Sequence, residues 1–310
     1  MDGSASDKEP ATSDLATEQS IKNENIMDIK AGHSFTMALT AKGEVWTWGK
    51  NDLGQLGDGT RRNSLTPIKV DGLSGIKQIA AGIAHAAVLH ADGTVTTWGY
   101  LHNGKDGRSQ FEGNDAKVKA AGLSNVSAIY AGGYHTVALR EDGTVWTWGR
   151  NQFGQLGIGT IHDVMDNQID PVQVQSLRDV IKIAGGDSHN LALKKDGTVW
   201  AWGANGYGQS GADRHVPTHS PLQVPGLSDV KDIAAGLNHS LALKQDGTVW
   251  QWGSNVYNSS LASRDDSGFH FQPARVEGLS DIVAIASGLR HSVALKKDGT
   301  VWTWGINNNG

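Results

Sequence analysis

The chain contains no cysteine, which excludes disulfide frameworks and thiolate metal sites. It leaves the compartment open, because a cysteine-free chain tolerates either redox environment. Long apolar runs are missing as well. No stretch approaches the roughly 20 residues of a membrane helix, so no membrane insertion is expected, and the N-terminal segment has no apolar core of an intact signal peptide. Positive charge is not in excess. The net charge is −5, and Asp2, Asp7, Glu9, Asp14 and Glu18 face Lys8 alone in the first twenty positions, so the remainder is close to neutral. Phosphate-backbone binding needs a basic patch, and nucleic acid is therefore not the expected partner. Residues 1–19 are acidic and poor in large apolar side chains, the composition of a disordered tail. Signatures of catalysis are absent too: there is no Gly-x-Ser-x-Gly elbow, no His-Glu-x-x-His and no phosphate-binding Gly-x-x-x-x-Gly-Lys-Ser/Thr. Asp265-Asp266 reads as part of a solvated loop. No enzyme activity, cofactor or metal is expected.

What the chain has is tryptophan and glycine in register. The second Trp of the motif Asp-Gly-Thr-Val-Trp-x-Trp-Gly recurs as Trp48, Trp98, Trp148, Trp202, Trp252 and Trp304. The first is Trp46, Trp146, Trp200, Trp250 and Trp302, with Thr96 in its place in the second unit. Gly32, Gly82, Gly132, Gly186, Gly236 and Gly288 keep the same steps upstream. Two anchors moving together at a period near 50 residues indicate a propeller or a solenoid. One unit decides between them. Val230–Ala235 and His239–Leu243 alternate apolar and polar residues, Gln245-Asp246-Gly247 signals a hairpin, and Thr248–Trp252 is rich in β-formers. Gln272–Val276 then reads as an outer strand, where Pro273 is tolerated. Four antiparallel strands per unit, with no helix, predict an all-β propeller of four-stranded blades.

Six repeats are expected, at about 26–75, 76–125, 126–179, 180–229, 230–281 and 282–310, within one propeller domain over 20–310. The sixth stops after its third strand. Residues 20–25 are expected to supply its outer strand and close a six-bladed ring, with a seven-bladed or incomplete ring as the alternative. Within each blade the Trp pair is expected to fill the space against the neighbouring blade, its indole N–H groups meeting backbone carbonyls.

At this point the residues resemble a known family. Ala-Gly-x-x-His-x-x-Ala-Leu followed by Asp-Gly-x-Val-x-x-Trp-Gly-x-Asn-x-x-Gly-Gln-Leu-Gly is similar to the RCC1 (regulator of chromosome condensation) repeat. The best copies are Ala131–His135 with Asp142–Gly159, and Ala31-Gly32 with Val45–Gly59. The resemblance covers about residues 26–310. It implies an RCC1-type propeller, for which family members usually have seven blades where six units are counted here. The dense DGTVWxWG form looks like bacterial members. That implies a non-catalytic, monomeric protein-binding module, secreted or at the cell surface and inhibitor-like. A guanine-nucleotide-exchange or chromatin scaffold and a carbohydrate-binding or carbohydrate-active propeller are the alternatives. The acidic tail argues against the second reading, and the lack of paired carboxylates beside aromatics against the third.

Candidate sites divide into scaffold and variable positions. His85, His135, His189, His239 and His291 recur once per blade with Phe35 in the first, so they are read as packing residues hydrogen-bonded within their blades rather than as a metal ring. The Asn-x-x-Gly-Gln turns are likewise structural. The positions that vary, the x-x of Gly-x-x-His and of Asn-x-x-Gly, hold Tyr134, Phe153, Tyr207, Tyr257, Leu53, Arg290 and Asp187, the composition of protein interfaces. In the resembling β-lactamase-inhibitor propellers, aromatics at such loop positions bind the enzyme, which makes these residues the partner-binding candidates. The competing reading is that each ring caps the blade beneath it.

Overall fold

In the computed structural model, residues 21, 24–100, 114–162, 168–212, 216–254 and 269–305 are described. They form six antiparallel sheets, numbered blades 1 to 6 in chain order. Blades 1 to 5 each have four strands in the simple order first-second-third-fourth, and three strands of blade 6 are described. Blade 3 shows the plan, with strands Val126–Ala131, His135–Arg140, Val145–Gly149 and Gln168–Gln173. Val, Ile, Thr and Trp at alternating positions fit a pleated surface packed on both sides. The fourth strand carries Pro67, Pro171, Pro221 or Pro273. It is the free edge of its sheet, where a missing N–H is tolerated.

The hairpin between second and third strands is locally determined. Gly143 takes φ +74°, and the Asp142 carboxylate accepts both the amide and the hydroxyl of Thr144, at 3.0 and 2.6 Å. The same Asp–Thr clasp recurs at Asp92, Asp196, Asp246 and Asp298. The Thr hydroxyl, then the Thr amide, hold each of these five carboxyls below the usual range.

The core lies between blades. Met37, Leu39, Val45 and Leu56 of blade 1 pack with Ile76, Ile79, Val88 and Trp98 of blade 2. The equivalent apolar sets fill the junctions of blades 2 and 3, 3 and 4, 4 and 5, and 5 and 6. One blade thus presents the Val of its third strand forward, and the next presents its second Trp backward. The expectation for the Trp pair needs correction here. Trp98, Trp148, Trp202 and Trp252 are buried between blades. Trp146, Trp200 and Trp250 are half-buried near the outer edge, under Arg140, Lys194 and Lys244 at 5.9, 5.5 and 4.7 Å from the ring centroid. They lie two residues nearer the Asp-Gly hairpin on the same strand, where a long cationic side chain covers them. In blade 2, where Thr96 replaces the Trp, the cation is replaced too: His90 Nε2 lies 2.8 Å from the Thr96 hydroxyl.

Two repeats depart from the pattern: Trp302 is exposed, and Trp46 is buried while Trp48 is only half-buried. The expected closing strand over 20–25 falls largely outside the described residues. Of that segment, Ile21 accepts a backbone bond from Glu24, and the Asn25 carbonyl accepts from Ala41.

Candidate functional site

Register brings both variable spots to one end of the propeller. His135 pairs with Gly149, so the turn after the first strand and the loop after the third emerge together. The same pairing holds in every blade.

The repeated residues at this end are consumed by scaffold bonds. In blade 3 the buried Asn151 accepts from the Leu156 amide at 3.0 Å and donates to the Thr160 carbonyl at 2.9 Å. Gln155 accepts from the Phe153 amide at 2.8 Å. The turn so shaped aims the Gln155 carbonyl at blade 4, where it accepts from the Trp202 indole at 3.0 Å and the Asn190 amide at 2.8 Å. Trp98 and Trp252 meet the carbonyls of Gln55 and Gln209 in the same way, as expected from the sequence. Other indoles differ: Trp146, Trp200 and Trp250 lie 3.3 Å from the hydroxyl of the Thr two residues earlier, and Trp304 donates to the Gln251 side chain.

Four of the repeat histidines serve the scaffold, but their rings bond across blades rather than within them. His85 reaches Thr136 at 3.2 Å, His135 reaches Asn190 at 2.8 Å, His189 reaches Ser240 at 3.0 Å and His239 reaches Ser292 at 3.1 Å. Ser240 spends its proton on the Gln209 carbonyl, so it accepts from His189, which assigns the Nε2–H tautomer. Each ring lies over the glycine three residues before it; a Cβ on Gly132 would sit 2.1 Å from His135 Cε1. Burial pushes His189 down to about 3, helped by His239 and His135, and His239 down to about 4. Burial also lowers His135, against the opposing Asn190 bond. These rings stay neutral at pH 7. Among the described residues no group of three or more His, Asp or Glu is placed to hold a metal.

The variable residues gather on blades 3 and 4. Phe153 and Tyr207 are 37% and 43% exposed at the tips of equivalent loops. Tyr134 is half-buried: Tyr100 meets it edge-on at 5.7 Å and the Arg150 guanidinium lies 5.5 Å over its ring. It thus caps its blade as well as lining the surface. Arg150 also bonds Gln152. Asp187 is half-buried, accepts from the Ser188 hydroxyl, and passes its backbone carbonyl to the Gly133 amide of blade 3. A Cβ on Gly133 would meet the Asp187 carboxylate at 2.3 Å, so this glycine admits the acid. Leu53 is half-buried on blade 1 and Arg290 exposed on blade 6, both away from this pair of blades. Tyr257 lies outside the described residues, as do residues 101–113, 163–167 and the rest of 255–268. Sequence reasoning missed Tyr100 and Arg150. The signal was there: the residue after Trp-Gly is Lys50, Tyr100, Arg150, Ala204 and Ser254 in turn, a third variable spot. Inside the same end, the Gly-x turns of all six blades surround a cavity of about 180 Å³ on the axis.

The fold and this surface define a β-propeller whose repeats build the scaffold and whose loop tips vary. The profile of the RCC1-like domain matches residues 2–277, and that of the regulator of chromosome condensation (RCC1) repeat matches 282–310. The chain belongs to the RCC1 family. It is 32% identical over 319 residues to the ultraviolet-B receptor UVR8 of Arabidopsis thaliana, covering 99% of this chain and 58% of that one. It is 32% identical over 288 residues to the mouse E3 ubiquitin-protein ligase HERC2, covering 91% of this chain and 5% of that one. The chain therefore spans less than two thirds of these relatives. Yeast RCC1 (Prp20), solved bound to Kap60, superposes with TM-score 0.75 at 29% identity over 90% of this chain and 70% of its own. Human WBSCR16 shares the fold at TM-score 0.78 and 22% identity, over 92% of this chain and 77% of its own.

Proposed function

We propose that this propeller is a non-catalytic protein-binding module whose docking surface is the loop end of blades 3 and 4. One observation carries the reading: the repeated Asn, Gln and His side chains at that end of blades 3 and 4 are spent on scaffold bonds, while Phe153 and Tyr207 project at the same end as Tyr134, Arg150 and Asp187. Aromatics and Arg are the usual anchors of protein interfaces. The relatives support the class. Yeast RCC1 is described with Kap60, and Prp20p by its binding to Gsp1p and histones. A secreted, inhibitor-like bacterial role is the finer form of this proposal and rests on the dense DGTVWxWG repeat alone. A nucleotide-exchange or chromatin scaffold is the second reading, favoured by the 29% identity to Prp20.

The test is affinity capture from the native host with three proteins: the parent, a Phe153→Ala/Tyr207→Ala double variant, and Lys195→Ala, which alters a turn at the opposite end. A partner retained by the parent and Lys195→Ala but lost by the double variant supports the docking surface. A partner held equally by all three refutes it. An enzyme of the extracytoplasmic space among the captured partners favours the inhibitor-like form, and a small GTPase or histones the other.

A further inference from the structure

The axial cavity of about 180 Å³ is lined mostly by glycine, alanine and the aliphatic side chains Ile83, Leu237 and Leu289. Blades 3 and 4 break that lining with a phenol, Tyr130, and a carboxylate, Asp187. His33 on blade 1 and Ser287 on blade 6 are the other polar side chains in the wall, and no lysine or arginine is among its described residues. The space equals that of about six molecules of liquid water.

Both residues depart from the repeat, and each is seated by a glycine on the neighbouring blade. Tyr130 stands two residues before the repeated glycine of blade 3. The same position holds Ala80, Ala184, Ala234 and Ala286 in other blades and Lys30 in blade 1, where Lys30 is tied to Asp28 at 2.7 Å. The Tyr130 ring packs in the junction of blades 3 and 4. It lies over Gly185, where a Cβ would sit 2.8 Å from Tyr130 Cε1 and from Asn190 Oδ1. The residue at the Gly185 position is alanine in four of the other blades and Ser287 in blade 6. Asp187 follows the repeated Gly186, at a position held elsewhere by His33, Ile83, Gly133, Leu237 and Leu289. Gly133 is the glycine that admits its carboxylate. Asp187 Oδ2 accepts from Ser188 at 2.7 Å, but among the described residues Oδ1 accepts no hydrogen bond and the carboxylate makes no ion pair. The Tyr130 hydroxyl has no hydrogen-bond partner among the described residues either. Burial, and then the nearby Asp187 charge, push that hydroxyl up, so it stays protonated within electrostatic reach of the carboxylate.

We propose that the axial cavity binds a primary alkylammonium of about five to seven non-hydrogen atoms, its head held by Asp187 and Tyr130 and its chain laid against Ile83, Leu237 and Leu289. The carboxylate supplies the charge, the phenolic oxygen a further acceptor, and the aliphatic wall the surface for a short hydrocarbon. An anion would meet the Asp187 charge with no lysine or arginine in the wall to offset it. A divalent ion needs more oxygen ligands than one carboxylate, and among the described residues no group of three or more such side chains is placed to hold one. The same cationic head is carried by a free amine and by a lysine side chain.

The experiment titrates the full chain with n-butylammonium at about pH 8, where an alkylammonium stays charged, and follows the backbone amides by NMR. It involves no partner protein, so its outcome is independent of the docking surface. Saturable shifts of the Gly132, Gly133 and Gly186 amides, with a Kd on the order of 1 mM, support the site. n-Butanol and butyrate, the neutral and anionic analogues, should bind at least about tenfold more weakly. Asp187→Asn should weaken n-butylammonium at least about tenfold and Tyr130→Phe about fivefold, each with Tm within about 3 °C of the parent. Nα-acetyl-lysine methylamide carries the same head on a peptide backbone. If it binds as n-butylammonium does, a lysine side chain enters from the loop end; if only the free amine binds, the ligand is a small molecule, and either result supports the site. Four results overturn the proposal: no saturable shift, n-butanol bound as well as n-butylammonium, affinity unchanged in both variants, or shifts confined to Asp-Gly hairpins such as Gly143. The last would mark unspecific attraction to a chain of net charge −5. The amide map and the butanol comparison use the unaltered chain, so they decide the matter even where a variant loses stability.

Discussion

His135 of blade 3 donates from Nε2 to the side-chain oxygen of Asn190 of blade 4, 2.8 Å away, and both side chains are buried. Asn190 in turn donates to the Gln155 carbonyl back on blade 3. One side chain therefore ties two blades in both directions. Asn190→Ala should cost about 2–3 kcal/mol, because it leaves the buried imidazole without a partner and takes one of its two donors from the Gln155 carbonyl. His135→Phe alone should also destabilise, and His135→Phe/Asn190→Ala should recover part of the loss by imitating Phe35 and Ala86. Chemical denaturation of the four proteins in a double-mutant cycle measures the coupling.

The buried histidines set an acid limit. In the unfolded chain each imidazole takes up a proton near its ordinary value of 6.5, whereas His189 resists until about 3 and His239 until about 4. The unfolded state thus binds more protons between those limits, so stability falls as pH drops below about 6.5, by up to about 1.4 kcal/mol per unit for each fully depressed group. The five Asp–Thr clasps add their loss only at lower pH, below the usual carboxylate range. A Tm measured from pH 7.5 to 4.5 should decline across this window. A flat profile would show that the rings are hydrated or already charged.

The two tryptophans of a motif should respond differently. Trp202→Ala removes a fully buried indole and its bond to Gln155, a loss of about 3–5 kcal/mol. Trp200→Ala removes a half-buried ring under Lys194, for which about 1 kcal/mol is expected. Equal effects would contradict the division of the pair into a junction residue and an edge residue.

Phe153→Ala and Tyr207→Ala should leave Tm nearly unchanged, within about 0.5 kcal/mol in stability. Tyr134→Ala should not, since Tyr100 and the Arg150 guanidinium pack on its ring. Thermal melts of the three variants separate residues held for the surface from the one that also serves the blade.

Much of this architecture was legible in the repeat. The hairpin clasp, the edge prolines and the alternation of buried residues are local, and Asp142, Pro171 and Val145 announce them in any single unit. The candidate surface was legible in part. Variation at fixed loop positions marked Phe153 and Tyr207, and the register of the second and third strands placed them at one end. Tyr134 was read as a partner-binding candidate, with capping of its blade as the competing reading, and its neighbours come from residue 100 and residue 150, which no local pattern connects.

The sequence by itself determined the period, the four-strand unit, the family and which face of each strand is apolar, because these follow from spacing and alternation along one chain. The tertiary structure decided what lies across each junction. It showed that His135 belongs with Asn190, that Trp202 is enclosed while Trp200 is capped by a lysine, and that Val301 and Ile29 are exposed where their counterparts in other blades are buried. The reason is geometric: pleating tells a side chain which way to point, and only the packing of whole blades tells it what it meets.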